Sequence, residues 1–178
     1  MTIRLATLND QAEIARLHCN SWHDTFIKLV PDLVKLRGDE YPRRFKAWGE
    51  FLQNDTLVNY VALNNTNRII GFAQGSTVKK ALNLPSYDGE LILLYVAPDK
   101  KGQGIGKSLI NTVATHLKSQ GHQSMVVVSW SINHPARAVY EHFGATFIKE
   151  IVQEENGFDN SQTVYGWQNI NTAIEATS

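Results

Sequence analysis

Residues 90–120 limit the choice of fold more than any other part of the chain, because they predict a strand, a glycine-rich loop and a helix in immediate succession. Leu91–Ala97 is an unbroken apolar run between Glu90 and Pro98, and such a short run predicts a strand that is buried on both faces. An amphipathic helix should follow, because apolar residues then recur at four-residue spacing: Ile105, Leu109, Val113 and Leu117. Gly121 is expected to end this helix.

Between the strand and the helix, glycines at positions 102, 104 and 106 alternate with other residues. Glycine lets the backbone approach a ligand closely, and the first N–H groups of a helix have no partner within the helix. The strand, the glycine loop and the helix start together predict a site for a phosphate group. A tight turn that merely needs glycine is the alternative explanation of the same residues.

Two common nucleotide-binding motifs fail to match this loop. A P-loop would need glycine where Lys101 stands, although the sequence GKS at 106–108 matches its end. The strand predicted at Met125–Trp130 also ends without the Asp that would hold Mg²⁺ in such a protein. A dinucleotide fingerprint that starts at Gly102 would need glycine in place of Lys107. A P-loop nucleotide hydrolase is therefore a disfavoured hypothesis, which Mg²⁺-dependent ATP binding would revive.

Two sequence blocks fit a known family better. Lys101–Gly106 follows Leu94–Pro98 and has the pattern basic/Gln-x-x-Gly-x-Gly/Ala. Asn133–Ala145 reads NHPARAVYEHFGA, with Ala three residues and Tyr seven residues after the Asn, and with an aromatic residue before the Gly. In this order and separation, the two blocks resemble the coenzyme A site of the GNAT superfamily, the acetyl-CoA-dependent N-acetyltransferases. The resemblance at the level of motifs covers residues 90–147.

The predicted elements have the order βααα-ββ-β-α-β-α-ββ, which indicates an α/β fold with a mixed sheet. A GNAT-type fold, as the resemblance implies, has this order, with a mostly antiparallel central sheet of about seven strands flanked by helices. The resemblance also implies that the sheet splays between its fourth and fifth strands. We expect a single N-acetyltransferase domain over residues 1–170 and a frayed C-terminal tail over residues 171–178.

The resemblance implies acetyl-CoA as the cofactor and gives most of its contacts to the backbone. Main-chain groups of Leu94, Tyr95 and Val96 would hydrogen-bond the pantetheine arm as an added strand would. The pyrophosphate would lie on the loop amides and the helix start, with lysines nearby: Lys101, Gly102, Gln103, Gly104, Ile105, Gly106 and Lys107. Asn133 would hold the pantetheine through its amide, unless it is only a helix cap, and Arg137 would contact a phosphate.

Acetyl transfer to an amine needs a polarised carbonyl, a base for the ammonium proton and an acid for the departing thiolate. The resemblance implies that the Val96 N–H polarises the thioester carbonyl. Glu90 lies six residues earlier, on the same face of the predicted strand, and is the candidate base, unless it belongs to an ordinary turn. Tyr140 is the candidate acid, with a packed helix tyrosine as the alternative. No nucleophile lies in the motifs, so we expect direct attack by the amine within a ternary complex.

Recognition of the amine is the least defined part of the sequence. Trp22 and Phe26 are four residues apart and share one face of the first helix. Core packing is the default interpretation of this pair, and an aromatic wall of the acceptor pocket is the alternative. Ser-Trp followed by an aromatic residue resembles a motif of many uncharacterised bacterial GNAT members, but it names no substrate. The expected acceptor is therefore a primary amine of a small molecule, peptide or protein.

Composition argues against several classes of function. Lys plus Arg and Asp plus Glu both number 17, so no net charge attracts nucleic acid or an anionic membrane. Cys19 is the sole cysteine and the six histidines are scattered, so we expect neither a disulfide framework nor a metal site. The start of the chain lacks a signal-peptide apolar segment and no apolar run could cross a bilayer, so we expect a cytoplasmic protein. Exposed apolar helix faces and a terminal strand are compatible with a homodimer.

A second hypothesis lies outside the enzymes. If Glu90 is not a base, the same motifs could form a non-catalytic acetyl-CoA-binding module that senses the cofactor and contacts a partner. Turnover with an amine that is lost in Tyr140→Phe or Glu90→Gln would exclude this hypothesis.

Overall fold

The computed structural model describes residues 1–152, 154–155 and 158–175. Hydrophobic periodicity and turn residues account for the bounds of its helices and strands. The helices are α1 (Gln11–Phe26), α2 (Pro31–Arg37), α3 (Tyr41–Phe51), α4 (Ile105–Ser119), α5 (His134–His142) and α6 (Ile170–Glu175). The strands are β1 (Thr2–Leu5), β2 (Val58–Leu63), β3 (Ile69–Thr77), β4 (Gly89–Val96), β5 (Met125–Trp130), β6 (Thr146–Ile151), β7 (Glu154–Glu155), β8 (Phe158–Asp159) and β9 (Gln162–Trp167).

Seven of the strands in the described residues form one sheet, in the order β1-β2-β3-β4-β5-β9-β6, and β7 pairs with β8 in a second. The pairs β1–β2, β5–β9 and β6–β9 are antiparallel, whereas β4–β5 is parallel. The predicted fold class, a mixed and mostly antiparallel sheet with flanking helices, is confirmed. None of the helices in the described ranges combines the length and apolar content needed to cross a membrane.

Three short elements are absent from the sequence-based prediction. The strands β7 and β8 have two residues each, too few for a periodic pattern. Helix α6 covers most of the segment expected to be a frayed tail, because Ile170 and Ala173 bury their side chains there. The described part of that tail, residues 171–175, is therefore helical, and residues 176–178 lie outside the described residues.

The chain divides into two compact units, residues 1–74 with 93–109 and residues 75–92 with 110–178. The single domain expected over residues 1–170 stays a prediction. Each unit contains some of the predicted site residues.

In the first unit, α1 packs against α3 and both cover the strands beneath them. The buried apolar core consists of Ile14, Ala15, Leu17, Trp48, Val61, Leu63, Ile69 and Phe72. Leu93, Tyr95 and Ala97 pack against this core, and because side chains alternate along a strand, Leu94 and Val96 face the opposite side. The side chains of Leu93, Tyr95 and Ala97 are therefore held by this core, and those of Leu94 and Val96 lie on the other face of the strand.

In the second unit, Asp88 aligns the start of β4 with the start of β5. Its carboxylate accepts hydrogen bonds from the N–H groups of Gln123 and Ser124, each at 2.9 Å. Gly121 ends α4 with φ +97°, as predicted. The His122 N–H donates to the Leu117 carbonyl at 3.1 Å, the bond that closes a Schellman motif.

Strand β4 differs from its prediction. Leu91 is fully buried, but the residues from Ile92 to Val96 keep part of their surface exposed, so the expected burial of the whole run on both faces is wrong. The described ladder between β4 and β5 explains the difference, because its last pair is Leu91 with Val127 although both strands continue. A sheet strand without a paired neighbour keeps backbone and side chains accessible.

Candidate cofactor and catalytic residues

The glycine loop of the first unit adopts a conformation that requires glycine. Gly102 and Gly104 have φ angles of +76° and +77°, which other residues rarely adopt. A Cβ atom added at either position would meet nothing within 4 Å. The glycines are therefore needed for the course of the backbone, and the space in front of them is open to a ligand.

Helix α4 begins directly after this loop. The Ser108 N–H donates to the Gly104 carbonyl at 3.0 Å, which marks the first turn. Backbone N–H groups before that point have no partner within the helix and lie at the positive end of its dipole. At Gly106 a Cβ would lie 3.8 Å from Val96 Cγ2, an ordinary contact distance, so packing within the protein does not demand glycine there. Loop and helix start thus fit the phosphate site that the sequence predicts.

Gly71 in β3 has no side chain that would keep the start of α4 away from this strand. A Cβ on Gly71 would lie 3.0 Å from Ile105 Cγ2, 3.1 Å from Leu109 Cδ1 and 3.1 Å from the Tyr95 carbonyl oxygen. Such contacts are tighter than nine in ten real Cβ contacts. The missing side chain in β3 therefore lets the first turn of α4, which follows the glycine loop, approach the strand.

Lys101 already has a partner in the protein. Its Nζ lies 2.8 Å from Asp24 Oδ2 at the end of α1, and Lys28 lies 3.9 Å from the other carboxylate oxygen. The hydrogen bond from Lys101 lowers the pKa of Asp24. Lys107 lies half-buried in the first turn of α4. The positive charge that the sequence predicts beside the glycine loop is thus partly balanced by the carboxylate of Asp24, which no sequence motif indicates.

The peptide groups around Val96 are fixed by three contacts in the first unit. The Ala97 N–H donates to the Ile70 carbonyl at 2.9 Å, and the Tyr95 carbonyl lies against Gly71 in β3. Because successive residues of a strand direct their polar groups to opposite edges, the N–H and the C=O of Val96 point away from β3. The Ser21 hydroxyl of α1 donates to the Val96 carbonyl at 3.1 Å.

Trp22 and Phe26 pack inside the first unit. Both are buried, with ring centroids 5.1 Å apart. The guanidinium groups of Arg37 and Arg44 lie 5.3 and 5.6 Å from the centre of the Trp22 ring, within range of a cation–π interaction. This arrangement matches the core-packing interpretation, and contact with an acceptor stays a prediction.

A buried histidine lies on the same helix, one turn before Trp22. His18 Nδ1 accepts a hydrogen bond from the Trp48 indole at 3.3 Å, and the ring packs 4.5 Å from the centre of Tyr95. Burial, followed by the charges of Arg44 and Arg43, lowers the pKa of His18 to about 2. His18 is therefore neutral at physiological pH.

Glu90 lies at the start of β4, in the second unit, and is only 3% exposed. Its carboxylate accepts the Lys79 N–H at 3.3 Å, and the Lys79 Nζ lies 3.6 Å away. Both contacts tie the loop after β3 to β4, which is a structural role. The role of Glu90 as a base stays a prediction.

On α5, the two predicted cofactor side chains bond to their own unit. Asn133 Oδ1 accepts the Ala136 N–H at 3.3 Å, so this residue caps the helix. Arg137 donates to the Ser131 carbonyl at 2.9 Å and to the Tyr165 hydroxyl at 3.1 Å. The bond to Tyr165 raises the pKa of Arg137. The amide nitrogen of Asn133 is the atom that its predicted cofactor contact would use.

Tyr140 is buried on the same helix, with its ring 6.5 Å from that of Tyr165 and 6.4 Å from that of Trp167. The Tyr165 hydroxyl donates to Glu141, so this second phenol is engaged with a carboxylate. Of the two tyrosines, the sequence motif indicates Tyr140 as the acid. Tyr165 and Glu141 carry no motif of their own, so only the fold identifies their network.

Comparison with known proteins gives a consistent family assignment. The model of the acetyltransferase (GNAT) family matches residues 20–145. An uncharacterized N-acetyltransferase of Bacillus subtilis, YuaI, is 27% identical over 173 residues, which cover 96% of this chain and 94% of the relative. A mycothiol acetyltransferase of Actinosynnema mirum is 29% identical over 146 residues, 81% of this chain but only 43% of that relative's length.

Solved structures share the fold. The PaiA N-acetyltransferase of Thermoplasma acidophilum, crystallised in complex with coenzyme A, superposes with a TM-score of 0.68 at 17% identity. The match covers 93% of this chain and 98% of that one. At this level of identity, the similarity concerns the course of the backbone.

Proposed function

This chain belongs to the acetyltransferase (GNAT) family, and we propose that it moves an acetyl group from acetyl-CoA to a primary amine by direct attack in a ternary complex. The chain is an acetyl-CoA-dependent acyltransferase by family, and the glycine loop is the observation that carries the assignment. Two positive-φ glycines and an open helix start form a backbone site suited to a pyrophosphate.

The cofactor residues fall into backbone and side-chain groups. The amides from Gly102 to Gly106 would receive the pyrophosphate, and the main chain of Leu94–Val96 would hold the pantetheine. Lys101 and Lys107 add positive charge, and Lys101 shares its charge with Asp24. Bound acetyl-CoA supplies an activated acetyl thioester to this site.

The reaction needs one bond made, one bond broken and one proton moved at each end. The amine nitrogen forms a bond to the acetyl carbonyl carbon while the carbon–sulfur bond breaks. The Val96 N–H polarises the carbonyl, because a donor aimed at an oxygen that gains negative charge stabilises the transition state. Glu90 takes the proton of the amine, through water where needed, and Tyr140 gives a proton to the sulfur.

The acceptor is defined only as an amine. We propose that Trp22 and Phe26 form an aromatic wall behind the amine-binding site. Because both residues are buried, they would support this site and not line its surface. A cytoplasmic location and a homodimer are proposed on the sequence alone.

The test begins with cofactor binding. Unfolding temperatures should rise with acetyl-CoA and CoA but not with ATP and Mg²⁺ or with NAD, since a ligand at a hundred times its Kd adds about 2.7 kcal/mol of stability. Purified protein should then acetylate members of a panel of amines. Stabilisation by ATP alone would overturn the assignment of the loop, and a stable acetyl label on the protein without an acceptor would contradict direct attack.

A non-catalytic acetyl-CoA sensor is the second candidate, because Lys79 already occupies the carboxylate of Glu90. Acetyl-CoA binding without turnover of any amine would support it. Amine-dependent turnover that falls in both Tyr140→Phe and Glu90→Gln would exclude it.

A further inference from the structure

The Val96–Ala97 peptide group has both of its polar atoms fixed within the first unit. Its N–H donates to the Ile70 carbonyl at 2.9 Å, and its carbonyl accepts from the Ser21 hydroxyl at 3.1 Å. Ser21 is 1% exposed, so its hydroxyl is shielded from water that would compete for this bond. Ser21 is the serine of the Ser-Trp pattern at positions 21–22, and that pattern assigns it no task.

The direction of these bonds connects Ser21 to the proposed chemistry. The N–H and the C=O of Val96 point to the same edge of β4, away from β3. A carbonyl oxygen beside a donor that must stabilise developing negative charge would oppose that donor. The Ser21 hydroxyl draws the electron density of this oxygen and fixes the orientation of the residue.

We propose that Ser21 is a positioning residue, which holds the Val96 main chain so that the Val96 N–H is aimed at the acetyl carbonyl oxygen. This inference rests on the proposed function, because it acts through the Val96 N–H. Ser21 itself touches neither substrate nor cofactor. Its contribution is electrostatic and geometric, through one hydrogen bond from α1 to the end of β4.

The same helix offers a matched control. The Thr25 hydroxyl donates to the Ser21 carbonyl at 2.9 Å, one helical turn away. Thr25→Val removes a hydroxyl hydrogen bond from the same helix without touching the Val96 carbonyl. Ser21→Ala removes the bond to Val96, and Ser21→Thr retains a hydroxyl at the same position.

The test is infrared difference spectroscopy of acetyl-CoA labelled with ¹³C at the acetyl carbonyl, bound to the protein without an acceptor. Binding should lower the carbonyl stretching frequency in the wild type, because the Val96 N–H polarises the bond. The downshift should be smaller in Ser21→Ala, restored in Ser21→Thr and unchanged in Thr25→Val. A full downshift in Ser21→Ala would overturn the role of Ser21 alone. No downshift in the wild type would overturn the role of Val96, and this inference with it.

Steady-state kinetics with an amine acceptor provides the second readout. Ser21→Ala should lower kcat about fivefold, the effect of one neutral hydrogen bond, with little change in the KM for acetyl-CoA. A purely structural role would instead lower the unfolding temperature and leave kcat per folded molecule unchanged. If Ser21→Thr is too large for the buried site, a lowered unfolding temperature will show it, and Ser21→Cys, which is close in size but a weak donor, should then resemble Ser21→Ala.

Discussion

The candidate cofactor contacts differ in kind between the two units. Around the glycine loop of the first unit, the candidate contacts are backbone groups whose direction is fixed by positive φ angles, by Gly71 and by Ser21. On α5 of the second unit, the candidates are side chains, and Arg137 and Asn133 already bond to neighbours. The direction of the backbone candidates is therefore set by the fold, whereas the side chains of α5 would have to share or exchange partners in order to contact a cofactor.

This difference separates the expected consequences of mutation. Substitutions in the loop should act on affinity through conformation, and substitutions on α5 should act on chemistry or on stability according to the partner that is lost.

The largest effect is expected for Tyr140→Phe, which removes the proposed acid and should lower kcat about a hundredfold. Tyr165→Phe is the matched change, because its ring lies 6.5 Å from that of Tyr140 in the same unit. It should lower the free energy of unfolding by about 2 kcal/mol, since its hydroxyl bonds to charged groups, and leave kcat nearly unchanged. Equal losses of kcat in the two variants would remove the distinction between them.

The glycine loop should show the next largest effect. Gly104→Ala forces a Cβ onto a backbone at φ +77°, which costs about 1–2 kcal/mol, and relaxation of the loop away from this conformation should weaken acetyl-CoA binding about 5- to 30-fold. Gly38→Ala also places a Cβ on a positive-φ backbone, at φ +60° after α2 and outside the glycine loop, and it also meets nothing within 4 Å. Calorimetric titration should find that Gly38→Ala binds acetyl-CoA like the wild type. Loss of affinity in both variants would mean that general instability, not the loop, is responsible.

The first unit should also carry an acid-sensitive element. The pKa of His18 is lowered to about 2 in the folded protein. His18 therefore binds a proton near pH 6.5 in the unfolded chain but stays neutral at that pH in the folded chain. Stability is thus complete above pH 6.5 and falls as the pH decreases, by about 1 kcal/mol between pH 7 and pH 5.5 through this group. Denaturant unfolding of His18→Gln should show a smaller loss over the same interval. An identical slope in wild type and variant would show that His18 does not titrate on unfolding.

The smallest effect separates the two functions of Asn133. Asn133→Ala should lower the free energy of unfolding by about 1 kcal/mol through loss of the helix cap, and Asn133→Asp should restore it. The carboxylate lacks amide donors, so acetyl-CoA affinity should stay a few-fold below that of the wild type in both variants. If Asn133→Asp recovered both acetyl-CoA affinity and stability, Asn133 would act only as a helix cap.

Local patterns allowed much of the fold to be predicted. The apolar run of β4, the spacing of α4 and the cap at Gly121 depend on near neighbours in sequence, and all three appear in the structure. The partial exposure of β4 beyond Leu91 depends on where its ladder with β5 ends, which no local pattern records. Helix α6 is short and is held by two buried residues, so its signal is weak.

The candidate site divides in the same way. The backbone parts leave a mark in the sequence, because positive φ angles select glycine at positions 102 and 104. The partners of the side-chain supports leave no such mark, since Ser21 bonds to a residue 75 positions away and Asp24 to one 77 positions away. Such pairs become visible only when the fold brings distant segments together.

Gly71 has a consequence for the evolution of this protein. With an added Cβ 3.0 Å from Ile105 and 3.1 Å from Leu109, an alanine in β3 would require these side chains at the start of α4 to shift by a few tenths of an ångström. A lineage that acquired alanine at this position would therefore be expected to favour a second change, such as a shorter side chain at position 105 or 109, that restores the space. Positions 71, 105 and 109 should therefore vary together, and a suppressor mutation at position 105 or 109 should restore the space that a methyl group at position 71 takes up.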